Sequence, residues 1–179
     1  MWQLQAFSFA LFLGTTFSQC VYPPPATCIL RKGLLAQGRE WYAHQRFGNS
    51  VAEITDKCLR FSLHIWDFKP DISIHFPTVY FDERNNRQET TISSYVIGLK
   101  SKYYMPFNNT DYMFTDLVVT DSYFVSEVCD MNSERSEVLI FTPKKRRDEW
   151  TIKRATEEAS KIMKLPSPSV NLECAKYRF

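Results

Sequence analysis

Cys58-Leu59-Arg60-Phe61-Ser62-Leu63-His64-Ile65-Trp66 alternates by side chain character: Leu59, Phe61, Leu63 and Ile65 fall on one side, and Arg60, Ser62 and His64 on the other. An extended chain sends successive side chains to opposite faces, so a period of two marks a half-buried β-strand. The same reading extends in both directions. From Trp41 to Pro143 the chain divides into short β-segments separated by turn residues.

Upstream, Trp41–Phe47 reads as a strand, and Gly48–Lys57 as a longer loop. Downstream, Lys69-Pro70-Asp71 turns the chain into Asp71–Phe81, with Ile72, Ile74, Phe76 and Tyr80 on one face. Asp82–Asn86 is a polar hairpin loop, Glu89–Gly98 a strand, Leu99–Lys102 a turn and Tyr103–Phe107 a strand. Asn108-Asn109-Thr110-Asp111 turns again before Tyr112–Val119. Thr120-Asp121 makes a tight corner into Tyr123–Cys129, and Asp130–Arg135 turns into Ser136–Thr142. No helix interrupts these eight expected strands, so no parallel crossover is needed. The simplest architecture is all-β: an up-and-down antiparallel meander. Closing it into a barrel removes its two bare edges. In such a meander the hairpins alternate between the ends, so Trp41, Thr120-Asp121 and Thr142 converge on one end. The Gly48–Lys57 loop then rims the other.

One helix follows, over about Asp148–Leu165. Asp148 and Glu149 suit its positive end. Ile152, Ala155, Ala159, Ile162 and Met163 recur at helical spacing, forming one stripe that packs on the barrel wall. Pro166 ends it, and Pro166–Phe179 reads as an extended tail.

A chain of 179 residues with 14 Phe and 9 Tyr suits one packed domain. A formal charge of +2 offers no field for nucleic acid or an anionic membrane, so no nucleic-acid partner is expected. Ala6–Leu13 is a short apolar run followed by small polar residues. It reads as a secretory signal over 1–18 cleaved after Ser18, leaving 19–179 as a single domain. No later segment is long and apolar enough to span a bilayer. Cys20, Cys28, Cys58, Cys129 and Cys174 are expected to pair in a secreted chain, leaving one over. Asn108-Asn109-Thr110 is a glycosylation acceptor at Asn108 in an exposed turn.

Catalytic signals are weak. His44, His64 and His75 form no metal-spaced cluster, and there is no phosphate-cradling glycine loop or Gly-x-Ser-x-Gly elbow. No enzyme activity, cofactor or metal site is expected. Lys144-Lys145-Arg146-Arg147 reads as a solvated approach to the helix.

Three features together resemble the lipocalins, most clearly the branch of apolipoprotein D, insect bilin-binding protein and crustacyanin. The resemblance covers nearly all of 19–179. Gly38-Arg39-Glu40-Trp41-Tyr42 resembles the family's Gly-x-Trp-Tyr at the start of the first strand, with one residue more. Val118-Val119-Thr120-Asp121-Ser122-Tyr123, running to Cys129, resembles its Thr-Asp-Tyr corner, about two residues shorter. The cysteine set is the third. The arginine that ends the family's last strand is absent, because the chain reads Ile140-Phe141-Thr142-Pro143. Lys144 is left to supply a cation over Trp41.

The resemblance implies an eight-stranded barrel with one external helix and a closed end at Gly38, Trp41, Thr120 and Asp121. It implies a Cys58–Cys174 bridge and a Cys20–Cys129 bridge, with Cys28 as the alternative arm cysteine. Cys58 then faces outward, so Leu59, Phe61, Leu63 and Ile65 face the lumen. Ile72, Ile74, Phe76, Tyr80, Tyr103, Met105 and Phe107 join them. The implied function is extracellular binding, transport or sequestration of a small hydrophobic molecule, with a cell-surface receptor as the candidate protein partner. Retinoid, fatty acid, steroid, pigment and amine all fit. The alternative is a secreted module of the same shape with a filled core, which binds a protein through its loops.

Overall fold

A computed structural model of the chain describes residues 38–65, 73–96 and 102–179. The expected signal segment 1–18, Cys20, Cys28 and Ile72 lie outside the described residues, as do the side chains of Ile65, Ile74 and Tyr103. The strands are β1 (Glu40–Phe47), β2 (Arg60–Ser62), β3 (His64–Ile65), β4 (Ser73–Phe81), β5 (Arg87–Val96) and β6 (Lys102–Phe107). They continue with β7 (Thr110–Val119), β8 (Phe124–Asp130), β9 (Ser136–Thr142) and β10 (Ser169–Asn171). Among the described residues two α-helices accompany them, α1 (Glu53–Asp56) and α2 (Glu149–Ile162), with a 3-10 turn at Cys174–Lys176.

Every pairing is antiparallel, in the order β1-β2-β4-β5-β6-β7-β8-β9, and β9 returns to β1 from Tyr42↔Thr142 to Phe47↔Val138. That last ladder closes the barrel. β2 and β3 serve as one strand, since Phe61↔Thr78 and His64↔His75 keep a single register on β4. The interruption falls opposite Pro77, which has no N–H to donate. Pro106 acts similarly on β6. Its pairing to β5 is Tyr95↔Tyr104 and Val96↔Tyr103, and Pro106 cannot extend that ladder toward the loop end. The Ser94 hydroxyl donates to the Tyr104 carbonyl there. Between β6 and β7, Asn108 (φ 49°) and Asn109 (φ 60°) both take the left-handed conformation of a two-residue hairpin turn.

Alternation divides the core. Phe61, Phe76, Phe114, Phe124 and Phe141 turn inward. Leu117, Val125, Val138 and Ile140 turn outward and meet Ile152, Ala155 and Ala159 of α2. Two bulges reset the alternation, at Ala43/Gln45 on β1 and at Asp116/Val118 on β7. The first leaves His44 fully buried as the extra residue and brings Arg46 inward opposite Leu139.

The structure corrects the sequence reading in three places. The Gly48–Lys57 segment is not all loop, because Ile54 is 4% exposed and its burial in the core draws Glu53–Asp56 into a helical turn. The second helix stops at Ile162 rather than Leu165. Met163 is already extended (φ −149°, ψ 159°), and the residue before Pro166 is excluded from helical geometry. At its start Asp148 is the N-cap, accepting from the Trp150 amide at 3.2 Å and the Thr151 hydroxyl at 2.9 Å. The tail is not merely extended, because Ser169–Asn171 adds a strand to β1 through Gln45↔Asn171 and Phe47↔Ser169.

The tail is fastened by a disulfide between Cys58 and Cys174, with Cα atoms 4.9 Å apart and 116 residues between them in sequence. Tyr42 packs on this bridge, and the Phe179 and Tyr177 rings pack beside it. Cys129 is also disulfide-bonded. In the chain-entropy account a loop of this length makes the Cys58–Cys174 bridge worth about 2–5 kcal/mol. The double change Cys58→Ala and Cys174→Ala is therefore expected to lower the urea midpoint by that equivalent. A loss below about 1 kcal/mol would show that the tail stays docked without the bridge.

Candidate functional site

The closed end is built from residues far apart in sequence. Gly38 (φ +68°) donates its N–H to the Leu63 carbonyl at 3.2 Å, and Arg39 Nη1 donates to the Asp121 carbonyl at 3.0 Å. The Thr120 hydroxyl locks its corner by accepting from the Tyr123 amide at 3.0 Å and donating to the Tyr123 carbonyl at 2.7 Å. Trp41 is fully buried above this corner, its ring 4.5 Å from that of Phe124. Lys144 is exposed, and its carbonyl meets His44 Nε2 at 2.7 Å. Burial lowers the His44 pKa, so its ring is held neutral.

Above that floor lies an apolar chamber. Leu59, Phe61, Phe76, Ile92, Met105, Phe114, Phe124 and Phe141 line it, with Thr78 adding a hydroxyl and Ile54 and Thr55 of α1 forming the roof. Phe61 stands at the centre, 5.6 Å from Phe76, 5.7 Å from Phe124 and 5.2 Å from Phe141. The Phe124 and Phe141 rings stack at 4.9 Å. These rings leave a cavity of about 30 Å³. That is room for one or two waters, an order of magnitude below the roughly 300–1,000 Å³ of ligand pockets.

Of the expected lining residues, Leu59, Phe61, Phe76 and Met105 reach the chamber. Leu63 is fully buried in the same core cluster but does not line the cavity. Tyr80 and Phe107 pack on the cluster and on each other, edge to face at 5.7 Å. Sequence reasoning missed Ile54, Thr55, Thr78, Ile92, Phe114, Phe124 and Phe141. For Thr78 the signal was present, since it shares a face with Phe76 and Tyr80.

The chamber is not uniformly apolar beyond its lining. Ser126 Oγ donates to Asp116 Oδ1 at 2.6 Å, both residues fully buried on the inward face. At the loop end Arg46, 8% exposed, reaches the α1 carbonyls of Thr55 at 3.1 Å and Asp56 at 3.0 Å. Lys57 ties the same segment to the β4–β5 hairpin, donating to the Asp82 and Glu83 carbonyls and to Asn85 Oδ1. Glu137 is fully buried beside Arg46.

Among the described residues no three His, Cys, Asp or Glu side chains gather as a metal set. His64 and His75 pair across β3 and β4 on the outer face, with His64 Nε2 3.2 Å from Ser62 Oγ and His75 Nδ1 2.9 Å from Ser93 Oγ.

The two faces of β2 give a direct test. Phe61→Ala removes a ring that touches three others and is expected to cost about 3–5 kcal/mol. Arg60 is half-buried and pairs with exposed Glu40 at 2.6 Å, so Arg60→Ala is expected to cost about 1 kcal/mol or less. Equal losses in urea denaturation would mean that the faces are exchanged.

No protein-family model matches the chain, and no curated protein matches it in sequence. Solved structures do match in shape. Lobster apocrustacyanin A1 superposes with a TM-score of 0.58 at 16% identity, over 83% of this chain and 88% of that one. A bovine lipocalin allergen gives 0.60 at 13% identity, over 79% and 95%. An odorant-binding protein gives 0.58 at 12%, over 80% and 94%. These scores are nearly equal, so they single out no branch. The closed antiparallel barrel and its external helix are those of the lipocalin fold.

Proposed function

We propose that this chain is a secreted lipocalin that binds a small apolar molecule inside the barrel and carries or sequesters it outside the cell. The observation that carries this reading is the chamber itself. Its wall is almost wholly aliphatic and aromatic, and its roof is a four-residue helix outside the β-ladders. A wall of this kind gains on the order of 25 cal/mol per Å² of apolar ligand surface covered. The bound state needs lining side chains such as Phe61 and Met105 turned aside, because a cavity of about 30 Å³ admits only water. An odorant-binding protein is among the barrels of similar shape. No catalytic step is assigned to the chain.

The rest of the reading follows from its covalent chemistry. A cystine at Cys58–Cys174 suits an oxidising compartment. We take 1–18 as the signal and 19–179 as the mature domain, with Cys129 bridged to Cys20 and Cys28 left over. A cell-surface receptor is the protein partner this reading leaves open. Asn108 is exposed at the hairpin turn, within reach of glycosylation.

The small cavity favours a second reading, a filled-core module that contacts a protein through its loops. Binding of an apolar fluorescent probe separates the two. Ile54→Ala removes the roof side chain and is expected to tighten one-to-one probe binding several-fold, with circular dichroism unchanged. Folded Ile54→Ala protein that binds no probe would favour the filled core. For the sugar, protein from a glycosylating host is expected to lose mass on N-glycosidase treatment, and Asn108→Gln protein is not. Equal masses before and after treatment of the wild type would remove the glycan from the account.

A further inference from the structure

We propose that His64 and His75 form a metal site on the outer wall of the barrel, which takes a divalent transition metal such as Cu²⁺ or Zn²⁺ and clamps β3 to β4. The site is separate from the chamber and does not depend on what the chamber holds.

The geometry starts from strand register. His64↔His75 is a directly opposed pair of the β3–β4 ladder. Their chain neighbours Leu63 and Phe76 are buried in the inner core, so alternation sends both imidazoles to the outer face, where both residues are half-buried. Side chains directly opposite in an antiparallel pair have Cβ atoms about 4.5–5.5 Å apart. Two imidazoles on such a pair reach one ion at about 2.0–2.1 Å each, the ordinary metal–nitrogen distance.

Each ring is also oriented by a hydroxyl. Ser62 Oγ lies 3.2 Å from His64 Nε2, and Ser93 Oγ lies 2.9 Å from His75 Nδ1. Ser93 is the residue opposite His75 on β5, so Ser93, His75 and His64 form one row across three strands. A polar group on one ring nitrogen fixes the ring and gives the other nitrogen the role of ligand, the outer-shell arrangement of metal-binding histidines. The ligand atoms are then His64 Nδ1 and His75 Nε2, with water completing the shell.

The donor set selects the ion. Imidazole nitrogen suits Cu²⁺, Zn²⁺ and Ni²⁺, whereas Mg²⁺ and Ca²⁺ take oxygen ligands. The clamp falls beside the break in the ladder. β2 ends at Ser62 and β3 begins at His64, across from Pro77, which has no N–H to donate. A metal on His64 and His75 ties the two-residue β3 to β4 next to that gap. Sequence spacing shows no metal set here, because the two histidines meet only through the strand register.

The metal-free full chain is titrated with Cu²⁺ and Zn²⁺ by calorimetry, and pulsed electron paramagnetic resonance of the Cu²⁺ form counts the imidazoles at the metal. One equivalent of Cu²⁺ is expected to bind through two imidazoles. Zn²⁺ is expected to bind more weakly at the same place, and either metal to raise the thermal midpoint. His64→Gln and His75→Gln are each expected to lose this binding as completely as the double variant, since one imidazole makes no chelate. Ser93→Ala keeps both ligands but unfastens the His75 ring, and is expected to weaken Cu²⁺ binding by about 10–100-fold. His44, the chain's third histidine, is fully buried and stays in every variant, so a signal from it would persist in the double variant. A single imidazole per Cu²⁺, two equivalents lost one at a time, or binding that survives the double variant overturns the site. Circular dichroism checks the fold of each variant. Should the histidine variants not fold, the imidazole count on the wild type decides: two support the site and fewer reject it.

Discussion

The ladder between β1 and β9 is the constraint on which the other features rest. It joins the first and last strands of the meander from Tyr42↔Thr142 to Phe47↔Val138, leaving neither as a bare edge. The same ladder contains the bulge at His44, so barrel closure and the inward turn of Arg46 share one local event. β10 then pairs with β1 at Gln45–Phe47, and the Cys58–Cys174 bridge fixes the tail that carries it. Opening this seam would expose the edge, undock the tail and release Arg46 from beneath α1.

Inside that seam, packing and function compete for the same volume. Four phenylalanine rings, Phe61, Phe76, Phe124 and Phe141, meet within ordinary aromatic contact distances and nearly fill the lower lumen. A barrel of this strand number is just wide enough for side chains or one small ligand. Here the roof is the adaptable part. α1 has four residues, no side-chain N-cap and no ladder. It is held by Ile54 in the core, by Arg46 on its carbonyls and by Lys57 at its flank. Elements with few such ties open at lower cost than the sheet.

Much of the architecture was legible in the sequence, because alternation fixes the face and turn residues fix the breaks. Ser136–Thr142 was found to the residue, and Asn108-Asn109 marked its hairpin because both positions need a left-handed backbone that asparagine tolerates. The features missed depend on distant contacts. Glu53–Asp56 has no local helix signal and is helical because Ile54 is drawn into the core. Ser169–Asn171 pairs only because β2 leaves the edge of β1 free there. Arg46 and Glu137 sit in strands, but only the bulge and the barrel closure bring them together. The chamber was half legible. Leu59, Phe61, Phe76 and Met105 came from the alternation of three strands, whereas Ile92, Phe114, Phe124 and Phe141 lie on strands whose inward faces were not read for the lumen.

The claim that an apolar molecule occupies this chamber is tested most directly by methyl-labelled NMR titration with an apolar ligand. Ile54 and Ile92 and the Met105 methyl line the chamber, while Ile152 packs outside the barrel under α2. The expected result is that the three chamber methyls shift together and saturate at one equivalent, with Ile152 unmoved. Shifts confined to Ile152 and its neighbours, or none at saturating ligand, would contradict the account.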